Sequence, residues 1–143
     1  MKLLVISNLY PPDVQGGYEI LCAQVVEGLR AIGHSVMVLT SGSEDGSADP
    51  TVWRRLELTG RFPEPVRASR WDSLAIHRRN ALTTRRAIED LRPDRIFIWS
   101  QLRLTLGCAE AAEESGLPVS YTFNDEHPTG FLPRAANGTV RSH

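Results

Sequence analysis

Two short clusters in this 143-residue chain carry groups suited to ligand chemistry. The first is Asp13–Glu19 (DVQGGYE), in which Gly16 and Gly17 precede an amphipathic segment. A glycine pair at a strand-to-helix turn permits positive φ and lets a ligand approach the backbone closely. Backbone amides at the start of the helix suit a phosphate or another anion. A turn that simply needs glycine explains the same residues, so the spacing alone leaves both interpretations open.

The second cluster is Asn124, Asp125, Glu126 and His127, which directly follows a predicted strand. Polar groups at the carboxyl end of a strand lie at the expected mouth of a ligand crevice. Asp125 or Glu126 can form an acid/base pair with His127. The alternative is a turn in which Asn124 and Asp125 hydrogen-bond their own backbone.

A third candidate is the exit of the fourth predicted strand, Trp99, Ser100 and Gln101. The Ser-Gln pair can contact a ligand, although an ordinary strand exit explains it equally well. The glycine loop matches neither the dinucleotide fingerprint G-x-G-x-x-G nor the P-loop G-x-x-x-x-G-K-[ST]. No Ser/His/Asp or Cys/His catalytic set can be assembled from the sequence.

The composition is that of a globular domain, with 41% apolar and 23% charged residues. No run of about 18 apolar residues and no signal peptide is visible, so we predict no membrane span and expect a cytoplasmic location. Cys22 and Cys108 fall at apolar helix positions and are predicted to be buried, reduced thiols. Their spacing to histidines indicates no metal site.

The net charge of −1 hides a basic middle segment. Residues 51–103 contain twelve arginines and six acidic residues, whereas the segments before and after are acidic. Such a segment can face an anionic acceptor or make peripheral contact with a membrane surface. A solvated helix face in an arginine-rich protein is the favoured explanation, because the arginines are interleaved with acids and form no polybasic run. We expect no nucleic-acid partner.

Strands alternate with helices along the chain, which predicts an α/β fold with a parallel sheet. We expect a Rossmann-like sheet of about five strands in the order 3-2-1-4-5, with helices on both faces and a crevice between strands one and four. The predicted strands are Lys2–Ser7, Ser35–Thr40, Thr51–Leu58, Arg95–Trp99 and Pro118–Phe123. Residues 1–125 form the predicted domain, and residues 126–143 are a polar, irregular tail.

Three amphipathic helices are predicted to cover this sheet. The first has an apolar face at Cys22, Val25, Val26 and Leu29, and Gly33 occupies its C-terminal cap. The second spans Ser73–Leu91 with Asp72 as its N-cap, and the third spans Leu104–Ser115 and ends at Gly116. The predicted apolar stripe of the second helix consists of Leu74, Ala81, Ile88 and Leu91, widened by Leu82.

Four stretches, in order, resemble retaining glycosyltransferases of the GT-B fold, and more narrowly the family-four group with sucrose synthases and bacterial mannosyl transferases. They are LLVISNLYPPDVQGGYE, GLRAIGHSVMVLTS, LRPDRIFIWS and LPVSYTFND. The resemblance covers about residues 1–125 and matches only the N-terminal half of such enzymes. That half mainly holds the acceptor, while a C-terminal domain holds the nucleotide-sugar.

The resemblance implies roles for the candidate residues. Gly16 and Gly17 would reach the donor phosphates and sugar across the interdomain cleft. Asp125 matches the aspartate of a His-Asp pair near the transferring sugar, but Asn124 stands where the family has histidine. His127 is a displaced substitute at most. No protein cofactor is implied, because the NDP-sugar is a substrate that reacts with a hydroxyl acceptor.

The leading hypothesis is therefore the acceptor-binding half of a nucleotide-sugar-dependent retaining glycosyltransferase, inactive without a donor-binding domain. The alternative is a non-catalytic α/β module that binds a sugar, a phosphate, a second copy of itself or a complementary C-terminal domain. A dinucleotide-dependent oxidoreductase is disfavoured, since the fingerprint glycines are missing and strand two ends in Thr40 and Ser41 rather than an acidic residue.

Overall fold

A computed structural model describes residues 1–42 and 49–122 of the chain. These residues form a five-stranded sheet in the order β3-β2-β1-β4-β5, with every neighbouring pair parallel. The predicted fold class and strand order are thereby confirmed. The strands are β1 (Lys2–Ile6), β2 (Ser35–Thr40), β3 (Val52–Arg54), β4 (Arg95–Ile98) and β5 (Val119–Tyr121).

Within the described residues, three helices cover the two faces of this sheet. They are α1 (Gly17–Ala31), α2 (Arg70–Leu91) and α3 (Gly107–Glu114). On one face, α1 packs on alternate strand residues through Cys22 and Val26. On the other face, α2 and α3 pack on the intervening residues, in a core that includes Leu4, Ile6, Leu39, Ala87, Ile96, Ile98, Cys108 and Ala112. Because side chains alternate across a strand, both faces need apolar residues, which explains the continuous apolar runs.

The third and fifth strands are shorter than the predicted Thr51–Leu58 and Pro118–Phe123. Beyond β3 the chain leaves the sheet, although the Leu56 amide still donates to the Thr40 carbonyl at 3.0 Å. The apolar residues at 56 and 58 that favoured a strand instead pack from a loop onto the core. β5 ends at Tyr121, and Thr122 donates to the Ile98 carbonyl at 3.0 Å.

Two helix starts also differ from the prediction. The N-cap of α2 is Ser69 rather than Asp72, because Asp72 is the third helical residue and completes a capping box with Ser69. The third helix begins at Gly107 rather than Leu104. The loop before it has positive φ at Arg103 and Thr105, a conformation that a helix excludes.

The predicted apolar stripe of α2 is wrong at two positions. Ala81 is buried and Ile88 and Leu91 pack against the core, as expected. Leu74 and Leu82, however, are 39% and 45% exposed, and they lie on the solvent side of the helix. Heptad spacing cannot reveal this, because α2 turns the side that carries Asn80 and Thr84, rather than Leu74 and Leu82, toward the protein.

Candidate functional site

The carboxyl edge of the sheet is lined by buried polar residues where β1 ends. The Ser7 hydroxyl donates to the Leu9 carbonyl at 2.8 Å, and the Leu9 amide donates to the Asn8 side chain at 2.9 Å. The Ser41 hydroxyl, at the exit of β2, donates to the Asn8 carbonyl. These hydrogen bonds tie the loop that leads to the glycine pair to the end of the neighbouring strand.

Arg54, the last residue of β3, is the buried anchor of this loop. Its side chain is only 2% exposed. The guanidinium donates to the carbonyls of Tyr10, Pro11 and Ser41 at 3.2, 2.6 and 3.3 Å, and it pairs with the Asp13 carboxylate at 3.5 Å. A planar guanidinium with five donors suits this role, because it can bind several oxygens at fixed angles.

The glycine pair, Gly16 and Gly17, lies at the start of α1. Gly16 is the N-cap of α1 with φ −168°, which is extended backbone, and Gly17 is the first helical residue; neither has positive φ. A Cβ added to either glycine would meet nothing within 4 Å. The positive φ that glycine permits is therefore not used at either position, and the open space at both positions is the feature to explain.

The start of α1 already has one carboxylate at its amides. Glu19 is only 6% exposed, and its Oε2 accepts from the amides of Gly16 and Gln15 at 3.0 and 3.3 Å. A negative charge at a helix N-terminus is stabilising. An anionic ligand at Gly16 or Gly17 would therefore approach beside Glu19 rather than at an empty helix end.

Trp99 joins α1 to the exit of β4. Its indole Nε1 donates to the Tyr18 carbonyl at 3.1 Å, and the Tyr18 hydroxyl donates to the Trp99 carbonyl at 3.4 Å. The two ring centroids are 5.5 Å apart. The Trp99 side chain thus has a structural role. Near it, Gln101 Oε1 is buried without a hydrogen-bond partner among the described residues.

A cleft of about 760 Å³ lies between the glycine loop and the loop after β3. On one side it is lined by Asp13 and Gln15, and on the other by residues 56–62. Its walls combine apolar and charged side chains, among them Leu9, Val14, Leu58, Phe62, Glu57 and Arg61. A cleft of this size and mixed character can bind a small ligand with hydroxyl groups. It lies on the β1-β2-β3 side of the edge, whereas the crevice was predicted between strands one and four.

The outer wall of the cleft is held by α2 and the loop after β4. The side chain of Asn80 makes three hydrogen bonds of 2.8–2.9 Å. Its Oδ1 accepts from the backbone amide of Glu57, and its Nδ2 donates to the backbone carbonyls of Glu57 and Leu104. The Thr59 amide donates to the Arg103 carbonyl at 2.8 Å, and the Arg103 guanidinium lies 4.1 Å from the centre of the Phe62 ring. Hydrogen bonds and a cation–π contact therefore join this wall to α2 and to the loop after β4.

The other predicted site residues lie outside the described ranges. Asn124, Asp125, Glu126 and His127 all follow Thr122, the last described residue, so their roles stay predictions. Within residues 1–42 and 49–122, no three His, Cys, Asp or Glu side chains are grouped as a metal site. In the same ranges, no helix is both long and apolar enough to cross a bilayer.

The two cysteines are buried and free, as predicted. Burial raises the pKa of the Cys22 thiol to about 12, and it raises the pKa of Cys108 to about 11. Both thiols are therefore protonated at neutral pH and are unsuited to act as nucleophiles.

Arg54, Asn80 and Arg103 escaped the sequence-based prediction. The strand pattern offered a signal for Arg54, because it lies two residues after the buried Val52 and so on the same side of β3. No comparable signal marks Asn80 or Arg103, whose partners come from segments more than 20 residues away in most cases.

A parallel sheet with helices on both faces and a cleft at its carboxyl edge is the architecture of Rossmann-like α/β domains. The family model described as Glycosyltransferase Family 4 matches residues 15–141. The chain belongs to this family. No curated protein sequence matches it significantly.

Solved structures show similar folds at low sequence identity. UDP-GlcNAc 2-epimerase from Neisseria meningitidis, bound to UDP-GlcNAc, has a TM-score of 0.56 and 15% identity. A UDP-N-acetylglucosamine 2-epimerase assigned in Listeria monocytogenes has a TM-score of 0.54 and 11% identity. The matches cover 85% of this chain but 31% and 30% of the epimerases, so the chain spans about a third of their length.

The C-terminal domain of the PF1911 hydrogenase from Pyrococcus furiosus is also similar. Its TM-score is 0.51 at 17% identity, and the match covers 85% of this chain and 91% of that domain. At these identities the likenesses establish the fold alone, because the same sheet serves many chemistries.

Proposed function

We propose that this chain is the acceptor-binding half of a nucleotide-sugar-dependent retaining glycosyltransferase. The observation that carries the proposal is the family match over residues 15–141, which includes both glycines and the Asn124–His127 cluster. In the complete enzyme, a hexose moves from an NDP-sugar to a hydroxyl acceptor with retention at the anomeric carbon. The donor domain would come from a separate segment or chain.

The geometry supports a division of labour at the carboxyl edge. The cleft between the glycine loop and residues 56–62 receives the acceptor, and its charged and apolar walls suit a hydroxyl-bearing molecule. Gly16 and Gly17 lie at the adjoining start of α1 with open space above them. This space lets the donor diphosphate and sugar approach the backbone from an opposing domain.

Catalysis of this kind depends mainly on positioning and on stabilising the leaving diphosphate. The anchored loop supports the first requirement, since Arg54 and Ser41 hold its start through hydrogen bonds. Asp125 is proposed to act near the transferring sugar, with Asn124 and His127 as binding residues. No turnover is expected from this chain alone.

The test joins the chain to a donor domain. The coding sequence that continues after codon 143 would be co-expressed with it or, where none continues, the donor domain of another family member. Release of NDP would be measured for UDP-, GDP- and ADP-sugars, and the product anomer would be assigned by NMR. Turnover only in the joined protein, with retention, supports the proposal. Enzyme-like turnover by the isolated chain, or inversion, contradicts it.

A substitution at Gly17 and a control substitution at a second glycine of α1 make the test specific to the site. Gly17→Val should lower kcat at least tenfold, roughly the effect of displacing a reacting group. Gly28→Val is the control, because Gly28 also lies in α1 with nothing within 4 Å of an added Cβ. Equal losses in both variants would mean that Gly17 acts through the helix rather than through the donor. Failure of every donor, together with a stable dimer in light scattering, would favour the non-catalytic module.

A further inference from the structure

The loop between β4 and α3 contains two residues with strained backbone. Arg103 and Thr105 both have a φ of 64°, a left-handed conformation that residues with a Cβ rarely adopt. Such a conformation persists only where the surrounding contacts enforce it, and it occurs preferentially at functional sites. The contacts of Arg103 therefore show what this strain secures.

Within the described part of the chain, the polar groups of Arg103 bind only to the outer wall of the cleft, at residues 59–62. The Arg103 carbonyl accepts from the Thr59 amide at 2.8 Å. Its Nη1 donates to the Arg61 carbonyl at 2.9 Å. Its Cζ lies 4.1 Å from the centre of the Phe62 ring. Arg103 thus holds this short segment through both its backbone and its side chain.

The guanidinium of Arg103 lies outside the cleft. Phe62 is one of the residues that line the cleft, whereas Arg103 is not. The guanidinium therefore packs on the Phe62 ring from behind the wall. A cation over one face of an aromatic ring favours one orientation of that ring and leaves its other face for a second partner. Arg103 can therefore act on a ligand in the cleft through Phe62 rather than by touching it.

The free face of Phe62 favours a particular chemistry in its ligand. The face of an aromatic ring carries partial negative charge, so it attracts the weakly positive C–H groups of a second ring. Val14 and Leu58 extend this apolar surface, and Glu57 and Arg61 add polar groups to the same lining. A cyclic molecule with C–H groups on its face and hydroxyl groups around its edge matches both parts of the lining. An open-chain alcohol has no such face.

We propose that Arg103 is a positioning residue for the acceptor: from behind the wall it orients the Phe62 ring, on which a cyclic, hydroxyl-bearing acceptor packs its C–H face. That the bound molecule is an acceptor rests on the proposed function, whereas the roles of Arg103 and Phe62 in binding do not. The left-handed backbone at Arg103 then has a reason, because it brings the guanidinium to the ring.

The first experiment measures ligand binding to the full chain by NMR and needs no transfer activity. The probes are methyl β-D-glucopyranoside and methyl α-D-mannopyranoside, which have a C–H face, and glycerol, which has none. Each pyranoside should shift the Phe62 ring signals saturably at millimolar concentration, whereas glycerol should not. The ring of Phe97, which packs on Trp99, is the internal control and should not shift. No shift of Phe62 with either pyranoside, or an equal shift with glycerol, overturns the proposal.

A matched pair of substitutions separates the side chain of Arg103 from its backbone. Asparagine tolerates left-handed backbone, so Arg103→Asn keeps the turn and removes the guanidinium. Thr105→Asn is the control at the same φ of 64°; the Thr105 hydroxyl accepts only from the Gly107 amide, at 3.4 Å, among the described residues. Arg103→Asn should weaken pyranoside binding about fivefold, and Arg103→Lys, which keeps a cation for the ring, should recover part of the loss. Equal losses in the two asparagine variants would show that the loop only supports the fold, and the proposal would fail.

A double variant tests whether Arg103 acts through Phe62. Phe62→Leu should itself weaken pyranoside binding about fivefold, because it removes the aromatic face. Residues that act through one contact do not have additive effects. Arg103→Asn/Phe62→Leu should therefore bind no more weakly than Phe62→Leu alone. Additive losses would show that Arg103 acts on the ligand by another route and would contradict the proposal.

Kinetics of the joined protein separate this proposal from the proposed function. Arg103→Asn should raise the acceptor KM roughly fivefold and leave kcat and the donor KM nearly unchanged, since the lost contact holds the acceptor equally before and during transfer. A fall in kcat with an unchanged acceptor KM would contradict the positioning role. Transfer that is insensitive to Arg103→Asn would refute the positioning role alone. Pyranoside binding that depends on Arg103 and Phe62, without transfer from any donor, would refute only the proposed function.

Discussion

Two helices of this domain begin with glycine, and the two glycines have opposite surroundings. At the start of α3, a Cβ on Gly107 would collide with the His77 carbonyl of α2. At the start of α1, a Cβ on Gly17 would meet nothing within 4 Å. Gly107 is therefore required by helix packing inside the protein. Packing inside the protein does not require Gly17, so the reason for glycine at this position must lie in a group that approaches α1 from outside.

The largest predicted effect concerns Arg54, which anchors the loop between β1 and α1. Arg54→Met should lower the free energy of unfolding by about 4 kcal/mol, because it leaves the carbonyls of Tyr10, Pro11 and Ser41 without their shared donor. The measurement is urea denaturation followed by circular dichroism. Arg55→Met is the control; this neighbour is exposed and stacks on Trp53, so its loss should cost well under half as much.

The second prediction tests the packing glycine directly. Gly107→Ala should lower the free energy of unfolding by about 3 kcal/mol, since the added methyl group overlaps backbone of α2 and neither helix can move without disturbing the core. Gly28→Ala, at an open position within α1, should instead stabilise the protein by about 0.5–1 kcal/mol. Thermal unfolding of both variants checks the contrast. A tolerated Gly107→Ala would remove the distinction drawn between the two helices.

The third prediction concerns Asn80, which holds the outer wall of the cleft to α2. Asn80→Leu should cost about 2 kcal/mol, because the Glu57 amide and the carbonyls of Glu57 and Leu104 lose their partner. Amide hydrogen exchange locates the effect. The Glu57 amide should exchange faster, while amides in α1 should change only with the global stability. Uniform acceleration across the domain would show that Asn80 supports the fold generally rather than this wall.

The sequence predicted the regular strands and helix faces of this fold better than its irregular turns and long-range contacts. Apolar runs and amphipathic periodicity follow from local alternation, so the five strands and the burial of Cys22 were predictable. The strand order was predictable from the topology that alternating strands and helices usually adopt. The start of α3 was not, because Arg103 and Thr105 adopt positive φ without a glycine to mark the turn. Arg54 was missed for a different reason: its partners come from a loop about 40 residues earlier, and only the folded sheet brings them together.

The smallest predicted effect is a substitution that tests directly why α1 begins with glycines. Gly16→Ser should raise the free energy of unfolding by a few tenths of a kcal/mol, because serine is a better N-cap and open space awaits its side chain. In the joined enzyme the same substitution should reduce transfer by narrowing the approach to the backbone. Paired measurements of urea midpoint and NDP release check this. A loss of stability in Gly16→Ser would mean that the fold itself requires glycine there, and the contrast with Gly107 would fail. A gain in stability with a loss of transfer would show that glycine at this position serves the ligand rather than the fold.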